Sequence, residues 1–322
     1  MSQLHMHKSS LLQQAAEYDS QQAAGAGAGA GASDFQSFTR NNTQLEYLVS
    51  QANPSLLRPL AFFVSWNGVL TLAYSGFPPA LTALKQSIND TVSGLPAEYS
   101  GSKWPKTSLG ALHDKARLTP QQLEVLNAIC KEESGKFSQE ADDQAVLVDK
   151  LTVVFYECRC LERRILEHVI PMRGGGAGDD HYHCDADHGN GNGAGNGAVG
   201  ASSSASKPSA PNTPAVDPRQ PNAEERARVA GVVAEADATD YWFLASKDGS
   251  RESHYRNSAL GVTLVHDLAA FQAPAGITPG RYGARLPELV RAFRARVEAE
   301  LPGLYRWFAD TSLHSTVRSL MG

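Results

Sequence analysis

The sequence predicts an α+β domain in two lobes, built of antiparallel sheets flanked by helices, with a long low-complexity tail in front and a low-complexity linker in the middle. Three observations point there. Short apolar runs of strand character alternate with amphipathic helical stripes, the element mix of an α+β fold. Residues 1–32 are rich in Gln, Ala and Gly, with a Gly-Ala alternation over 25–32, and cannot bury enough surface to offset the entropy of ordering. Residues 173–221 run through Gly, Asn, Ala, Ser and Pro with hardly an aliphatic side chain, so they too are expected to be disordered. What remains divides into a helical lead-in at 33–55, a first lobe at 56–172 and a second lobe at 222–322 that completes the same domain.

In the first lobe, Leu60-Ala61-Phe62-Phe63-Val64-Ser65 and Val69-Leu70-Thr71-Leu72-Ala73-Tyr74 read as strands of a hairpin whose turn is Asn67-Gly68. Gly76-Phe77-Pro78-Pro79 breaks the chain, and Leu81, Leu84, Ile88 and Val92 then mark a helix. A strand through Lys103 to Leu112 follows. The next helix is well signposted: Thr119 caps, Pro120 fits the first helical position and Gln122 closes a capping box. Leu123, Leu126 and Ile129 form its apolar stripe, with Val125 alongside. Last comes a strand with Leu151, Val153 and Phe155 on one face, whose continuation to Ile170 is compatible with a helix.

The second lobe opens with a helix at 223–236 and a strand at 241–246. Lys247-Asp248-Gly249-Ser250 reads as a turn, since Asp-Gly supplies a φ > 0 position. Strands are expected through 251–256 and Gly261-Val262-Thr263-Leu264-Val265. Leu286, Leu289, Val290, Phe293 and Val297 then make a helical stripe with Pro287 in its first turn. Arg281, Arg285, Arg291, Arg294 and Arg296 around that helix, diluted by Glu288, Glu298 and Glu300, read as a solvated face. A final strand carries Leu313-His314-Ser315-Thr316-Val317-Arg318. Closing a full second repeat would take a further helix and strand.

A net charge of −5 and an isoelectric point near 6.1 remove the basic signature of a non-specific nucleic-acid binder, so any such contact must be local. Four cysteines without a secretory signal argue for a reducing compartment, cytoplasmic or nuclear, with an organelle address left open. Cys158 and Cys160 alternate on one expected strand and have no zinc-finger spacing to Cys130, so they read as structural thiols. No run approaches the ~20 apolar residues of a membrane span. Walker and dinucleotide fingerprints are absent from the sequence. The stretch His181-Tyr182-His183-Cys184-Asp185-Ala186-Asp187-His188 holds enough ligands for a metal, yet its glycine-rich surroundings give no scaffold. Weak adventitious binding is expected there, and no metal or cofactor is assigned.

The chemistry concentrates on two strands. Side chains two apart on a strand share a face, so His314, Thr316 and Arg318 are expected to converge, opposite Leu313, Ser315 and Val317. An imidazole that titrates near neutrality, a hydroxyl and a planar guanidinium suit a phosphate. Lys106 and Ser108 repeat the pattern of ionisable residue, spacer, hydroxyl and aliphatic. Either pattern taken singly is also what a solvated strand would show. Lys247, Arg251, His254, Tyr255 and Arg256 form the densest cluster of phosphate-friendly side chains, with His254 and Arg256 on one expected strand face. A hairpin rim of exposed charges is the plain alternative for them. His113 and His266 read as core or surface histidines.

Strand-borne His-x-Ser/Thr pairs, one in each of two related lobes, mark the two-histidine (2H) phosphoesterase superfamily. The chain resembles the plant and algal branch described as RNA ligase/cyclic nucleotide phosphodiesterase-like proteins. The resemblance runs through Phe62-Phe63-Val64, Gly76-Phe77-Pro78-Pro79, the segments 102–112 and 242–268, and Leu304-Tyr305-Arg306-Trp307-Phe308 to Arg318, outside the tail and linker. It implies a 2H-phosphoesterase-like domain that binds phosphate esters and opens 2′,3′-cyclic phosphates of RNA ends or nucleotides. His314 would then transfer the proton, with Thr316 and Ser108 on the phosphate oxygens. Lys106 stands where the first histidine would be; an unperturbed lysine titrates near ~10.4, so it serves as a cation or weak proton donor unless burial lowers it. His254 is the reserve acid or base, and Arg318, Lys247, Arg251 and Arg256 complete the expected phosphate-binding set. The expected partner is a phosphorylated small molecule or an RNA terminus, with no membrane. The alternative is a catalytically inactive adaptor that binds an RNA end or nucleotide.

Overall fold

The computed structural model describes residues 43–65, 68–92, 95, 98, 103–174, 220–237, 251–271 and 282–321. The tail 1–32, most of the linker 173–221 with its metal-ligand stretch, the strand expected at 241–246 and the turn at 247–250 lie outside the described residues. Along the chain run α1 (Thr43–Gln51), β1 (Ser55–Leu57), β2 (Pro59–Val64), β3 (Leu70–Tyr74), α2 (Pro79–Thr91), β4 (Lys106–Leu112), α3 (Pro120–Ser134) and β5 (Val146–Val148). After these come β6 (Lys150–Tyr156), β7 (Arg164–Pro171), α4 (Ala223–Ala234), α5 (Glu252–Arg256), β8 (Gly261–Asp267), α6 (Leu286–Glu300), β9 (Tyr305–Trp307) and β10 (His314–Met321). The strands form a two-stranded pair β1-β5 and two four-stranded sheets, ordered β2-β3-β4-β9 and β10-β8-β6-β7, with antiparallel pairing throughout. The expected α+β class with antiparallel sheets is therefore observed. No helix among the described residues is long and apolar enough to cross a membrane.

Local signals act where expected. At the β2–β3 hairpin Gly68 takes φ 72°, while the Ser65 carbonyl accepts its N–H at 2.8 Å. At α3 the capping box forms: Thr119 Oγ1 accepts from the Gln122 N–H at 3.2 Å and Gln122 Oε1 from the Thr119 N–H at 2.9 Å. Leu123, Leu126 and Ile129 of α3 are buried, as are Leu286, Leu289, Val290, Phe293 and Val297 of α6; Val125 falls off the stripe and is exposed. Phe293 stacks on Phe62 of β2 with centroids 4.1 Å apart. Each such side chain contributes about 1.5–3 kcal/mol on burial. One continuous apolar cluster runs from Phe62, Leu72 and Leu109 of the first four-stranded sheet to Leu151, Val153, Leu264 and Val317 of the second.

The sheets do not follow the expected division at the linker. β6 and β7, assigned to the 56–172 lobe, share a sheet with β8 and β10 through the pairing of β6 with β8, while β9 from the far end of the chain joins β4. The cause is the apolar stripe: Val153 of β6 lies opposite Leu264 of β8, so the buried face continues across strands from either side of the linker. Helix α4, from the expected second lobe, lays Val229 against Phe63 and Ala73 of β2 and β3. Two local expectations also change. The continuation to Ile170 is the strand β7, and Cys158 and Cys160 sit in the turn before it rather than on a strand. The segment around His254 is helix α5, not a strand. Asp114 accepts from the N–H groups of Arg251 and Ser253 at 2.9 and 3.1 Å, and Glu252 pairs with Arg256 one turn on at 2.6 Å.

Candidate functional site

Cross-strand partners fix which side chains share a face. On β4, Lys106 lies opposite Ala73 and Ser108 opposite Thr71, whereas Thr107 points into the core and pairs with the Tyr74 hydroxyl at 3.0 Å. Trp104 precedes this strand, with Lys106 Nζ 4.9 Å from its ring centroid. Lys106 touches solvent, yet protein crowds it; that desolvation, reinforced by the charge of Lys103, draws its pKa below the ordinary lysine value.

On β10, His314 lies opposite Asp267 and Thr316 opposite Val265. The imidazole Nδ1 meets the Ser312 carbonyl at 2.7 Å. A carbonyl can only accept, so Nδ1 carries the hydrogen and Nε2 keeps its lone pair. Among the described residues nothing hydrogen-bonds that nitrogen. Burial lowers the His314 pKa, outweighing the Ser312 carbonyl, with Arg164 adding to the effect and Asp267 opposing it. Burial also works against ionisation of Asp267, but Arg164 at 2.6 Å and the Thr152 hydroxyl at 3.0 Å hold its carboxyl below the ordinary value. His314 is thus a neutral imidazole with an available base nitrogen near neutral pH.

The two strands meet. β9 pairs with Gly110, Ala111 and Leu112 of β4, leaving the Lys106 end of that edge without a strand of its own sheet, and β10 packs against β4. Gly110 allows the close approach of β9 to β4: a Cβ there would stand 2.8 Å from the Trp307 ring. Arg294 fastens the junction, donating to the carbonyls of Leu109 at 3.2 Å and Phe308 at 3.1 Å and pairing with Asp310 at 2.5 Å, two residues before Ser312. Arginines around α6 are accordingly not one solvated face; Arg294 is largely buried, and Arg296 pairs with Glu132 and Glu133.

Helix α5 supplies a third wall. The Tyr255 hydroxyl pairs with Ser108; burial raises its pKa, and that bond together with nearby Arg159 opposes the rise. Tyr156, at the end of β6, lies opposite Gly261 and so shares the sheet face of Thr316 and His314. A Cβ on Gly261 would collide with the Tyr156 ring.

Lys106, Ser108, His314 and Thr316 are therefore carried on touching strands, none of them sealed from solvent. The other expected members fare differently. A β-bulge between Thr316 and Arg318 pairs Arg318 with Leu264, turning it to the face opposite His314; it is 1% exposed, bonds Asn89 and lies 3.8 Å from Glu98. Arg256 is gripped by Glu162 at 2.8 Å and Glu252 at 2.6 Å. Arg251 is buried near Tyr305. His254 is exposed on α5, edge-on to Tyr255 at 5.1 Å, so it neighbours the Ser108 partner without sharing a strand face with Arg256. Lys247 lies outside the described residues. His266 is a core histidine, buried with Nδ1 3.0 Å from the Lys150 carbonyl, and His113 sits 3.5 Å from Glu252.

No family model, curated protein or solved structure matches this chain. Among the described residues no cluster of three or more His, Cys, Asp or Glu could hold a metal. Sequence reasoning missed Tyr156, Arg159 and Arg294. Strand phase offered a signal for the first: with Leu151, Val153 and Phe155 on one face, Tyr156 belongs on the other. Arg159 and Arg294 carried none, because one lies in a turn and the other's partners are remote in sequence.

Proposed function

We propose that the junction where β4 and β10 touch binds a phosphate ester and opens 2′,3′-cyclic phosphates of RNA ends or nucleotides, in a two-lobed domain like that of the 2H phosphoesterases. The observation that carries this is His314. Its Nδ1–H is engaged by the Ser312 carbonyl, and Nε2 has no partner among the described residues, on the face it shares with Thr316. Two supports add to it: Lys106 and Ser108 reproduce the ionisable-x-hydroxyl spacing on the strand that β10 touches, and burial draws the Lys106 pKa downward, towards the range where a proton donor works best.

In this scheme Nε2 of His314 takes a proton from water as the water oxygen bonds to phosphorus. The bond from phosphorus to one ribose oxygen breaks, and the Lys106 ammonium gives that oxygen its proton. A phosphate monoester and a free ribose hydroxyl result. Hydroxyls of Ser108, Tyr255 and Thr316 donate to the non-bridging oxygens, where charge builds.

The test is turnover of 2′,3′-cyclic nucleotides by the full chain and by His314→Ala, with the monoester product quantified. Loss of a positioned base lowers the rate about 10²–10⁴-fold. Equal rates in both proteins would remove His314 from the chemistry. One observation favours a second reading, an adaptor that binds an RNA end without turnover: a lysine occupies the position of the first histidine. Nucleotide binding by the wild type with no product would establish that reading instead.

A further inference from the structure

The turn 157–163 between β6 and β7 is locked onto the C-terminal end of α5. The last carbonyls of a helix have no intrahelical partner, and here three consecutive ones find donors in that turn. His254 O accepts from Arg159 Nη1 at 3.2 Å, Tyr255 O from the Cys160 N–H at 3.1 Å, and Arg256 O from Arg163 Nη2 at 2.6 Å. Beneath the turn Cys158 and Cys160 are buried with their sulfurs 3.6 Å apart, and burial pushes the Cys160 thiol up to about 12, so these two residues serve as anchors. Arg159, between the two anchors, is turned outward and exposed.

Its surroundings belong to the candidate site. The helix it caps sends Tyr255 to Ser108 on β4, and the strand it follows ends in Tyr156 on the sheet face of His314 and Thr316. Its neighbour Arg163 pairs with Glu157 at 3.3 Å. Arg159 pairs with no carboxylate among the described residues, and one bond to a carbonyl engages a single donor of the five a guanidinium offers. A guanidinium without a carboxylate partner, close to the Tyr255 hydroxyl that pairs with Ser108 and to Tyr156 on the sheet face of Thr316, is an anion-binding arrangement.

We propose that Arg159 is the anion clamp of this site, taking the non-bridging oxygens of the phosphate that Ser108 and Thr316 also contact. It fills the place that strand alternation assigned to Arg318. The inference rests on the phosphate-site reading above. It names a residue that contacts substrate rather than one that only holds α5 in place.

Calorimetric titration of the full chain with inorganic phosphate and with adenosine 3′-monophosphate tests it, using Arg159→Ala, Arg159→Lys and Arg163→Ala. Arg159→Ala is expected to weaken both ligands about tenfold or more. Arg159→Lys falls in between, since lysine keeps the charge and loses the fork. Arg163→Ala removes a cap from the same helix end and is expected to leave both affinities within about twofold, while lowering the melting temperature as much as Arg159→Ala does. Equal loss of affinity in Arg163→Ala and Arg159→Ala would make Arg159 a helix cap and overturn the clamp, as would unchanged affinity in Arg159→Ala. Wild-type protein that binds neither ligand overturns both the clamp and the phosphate site. Loss of binding in Arg159→Ala without any cyclic-phosphate turnover by the wild type upholds the clamp and rejects only hydrolysis.

Discussion

Replacing Lys106 by histidine asks whether its ammonium is the proton donor. If Lys106 protonates the departing ribose oxygen, turnover falls as pH rises through the Lys106 pKa, which burial and Lys103 hold below the ordinary lysine value. At the other end only the neutral imidazole of His314 can take a proton, so turnover falls as pH drops through a pKa that burial holds below the ordinary histidine value. The wild type should therefore show a broad bell. An imidazole at 106 starts near ~6.5 where lysine starts near ~10.4, and desolvation moves both in the same direction because it disfavours either cation. The alkaline limb should accordingly descend by about 3–4 units, and two pH units above its pKa only about one donor in a hundred stays protonated. Initial rates on a 2′,3′-cyclic nucleotide from about pH 5 to about pH 10 measure this. An alkaline limb at one and the same pH in wild type, Lys106→His and Lys106→Ala would refute the assignment and leave Lys106 at most a fixed charge.

Arg294→Ala should loosen the hold that sets the height of Ser312 and hence the tilt of the imidazole. It removes charge-assisted bonds to Asp310, Leu109 and Phe308, each of a kind worth about 1.5–3 kcal/mol. Melting curves should show the destabilisation, and kinetics a fall in kcat with KM nearly kept, since the phosphate contacts remain; a rise in KM alone would contradict a positioning role. Thr119→Ala breaks the α3 capping box, costing about 1 kcal/mol in denaturant titration, and should leave nucleotide affinity untouched because α3 sends no side chain to the site.

Elements whose cause is local were legible in the sequence. The Thr119-Pro120-Gln122 start, Pro287 in the first turn of α6, and the buried stripes of α3 and α6 all stand where pattern placed them. Strand partnership was not legible, because nothing inside β6 says that its neighbour is β8, more than a hundred residues along the chain, rather than a strand of the preceding hairpin. The bulge at Val317 is of the same kind: it depends on the register of β8, and it alone decides that Arg318 leaves the face of His314. Helix α5 is different. Glu252 and Arg256 at i and i+4 were a visible helical signal, outweighed by an expectation of alternation between His254 and Arg256.

Charge compensation sorts the cationic residues more sharply than strand alternation does. Arg256, Arg164, Arg294 and Arg163 each lie within 3.3 Å of a carboxylate oxygen, and Arg318 lies 3.8 Å from Glu98. To take a phosphate, any of them would first surrender a charge-assisted bond worth about 1.5–3 kcal/mol, most of what the new contact could return. Lys106 and Arg159 have no carboxylate partner among the described residues, and each stands beside a hydroxyl-bearing wall of the His314 site. Their positive charge is left for a ligand to satisfy. A dianionic monoester should for that reason bind more tightly than the monoanionic cyclic diester, and calorimetric titration of the two ligands measures the difference.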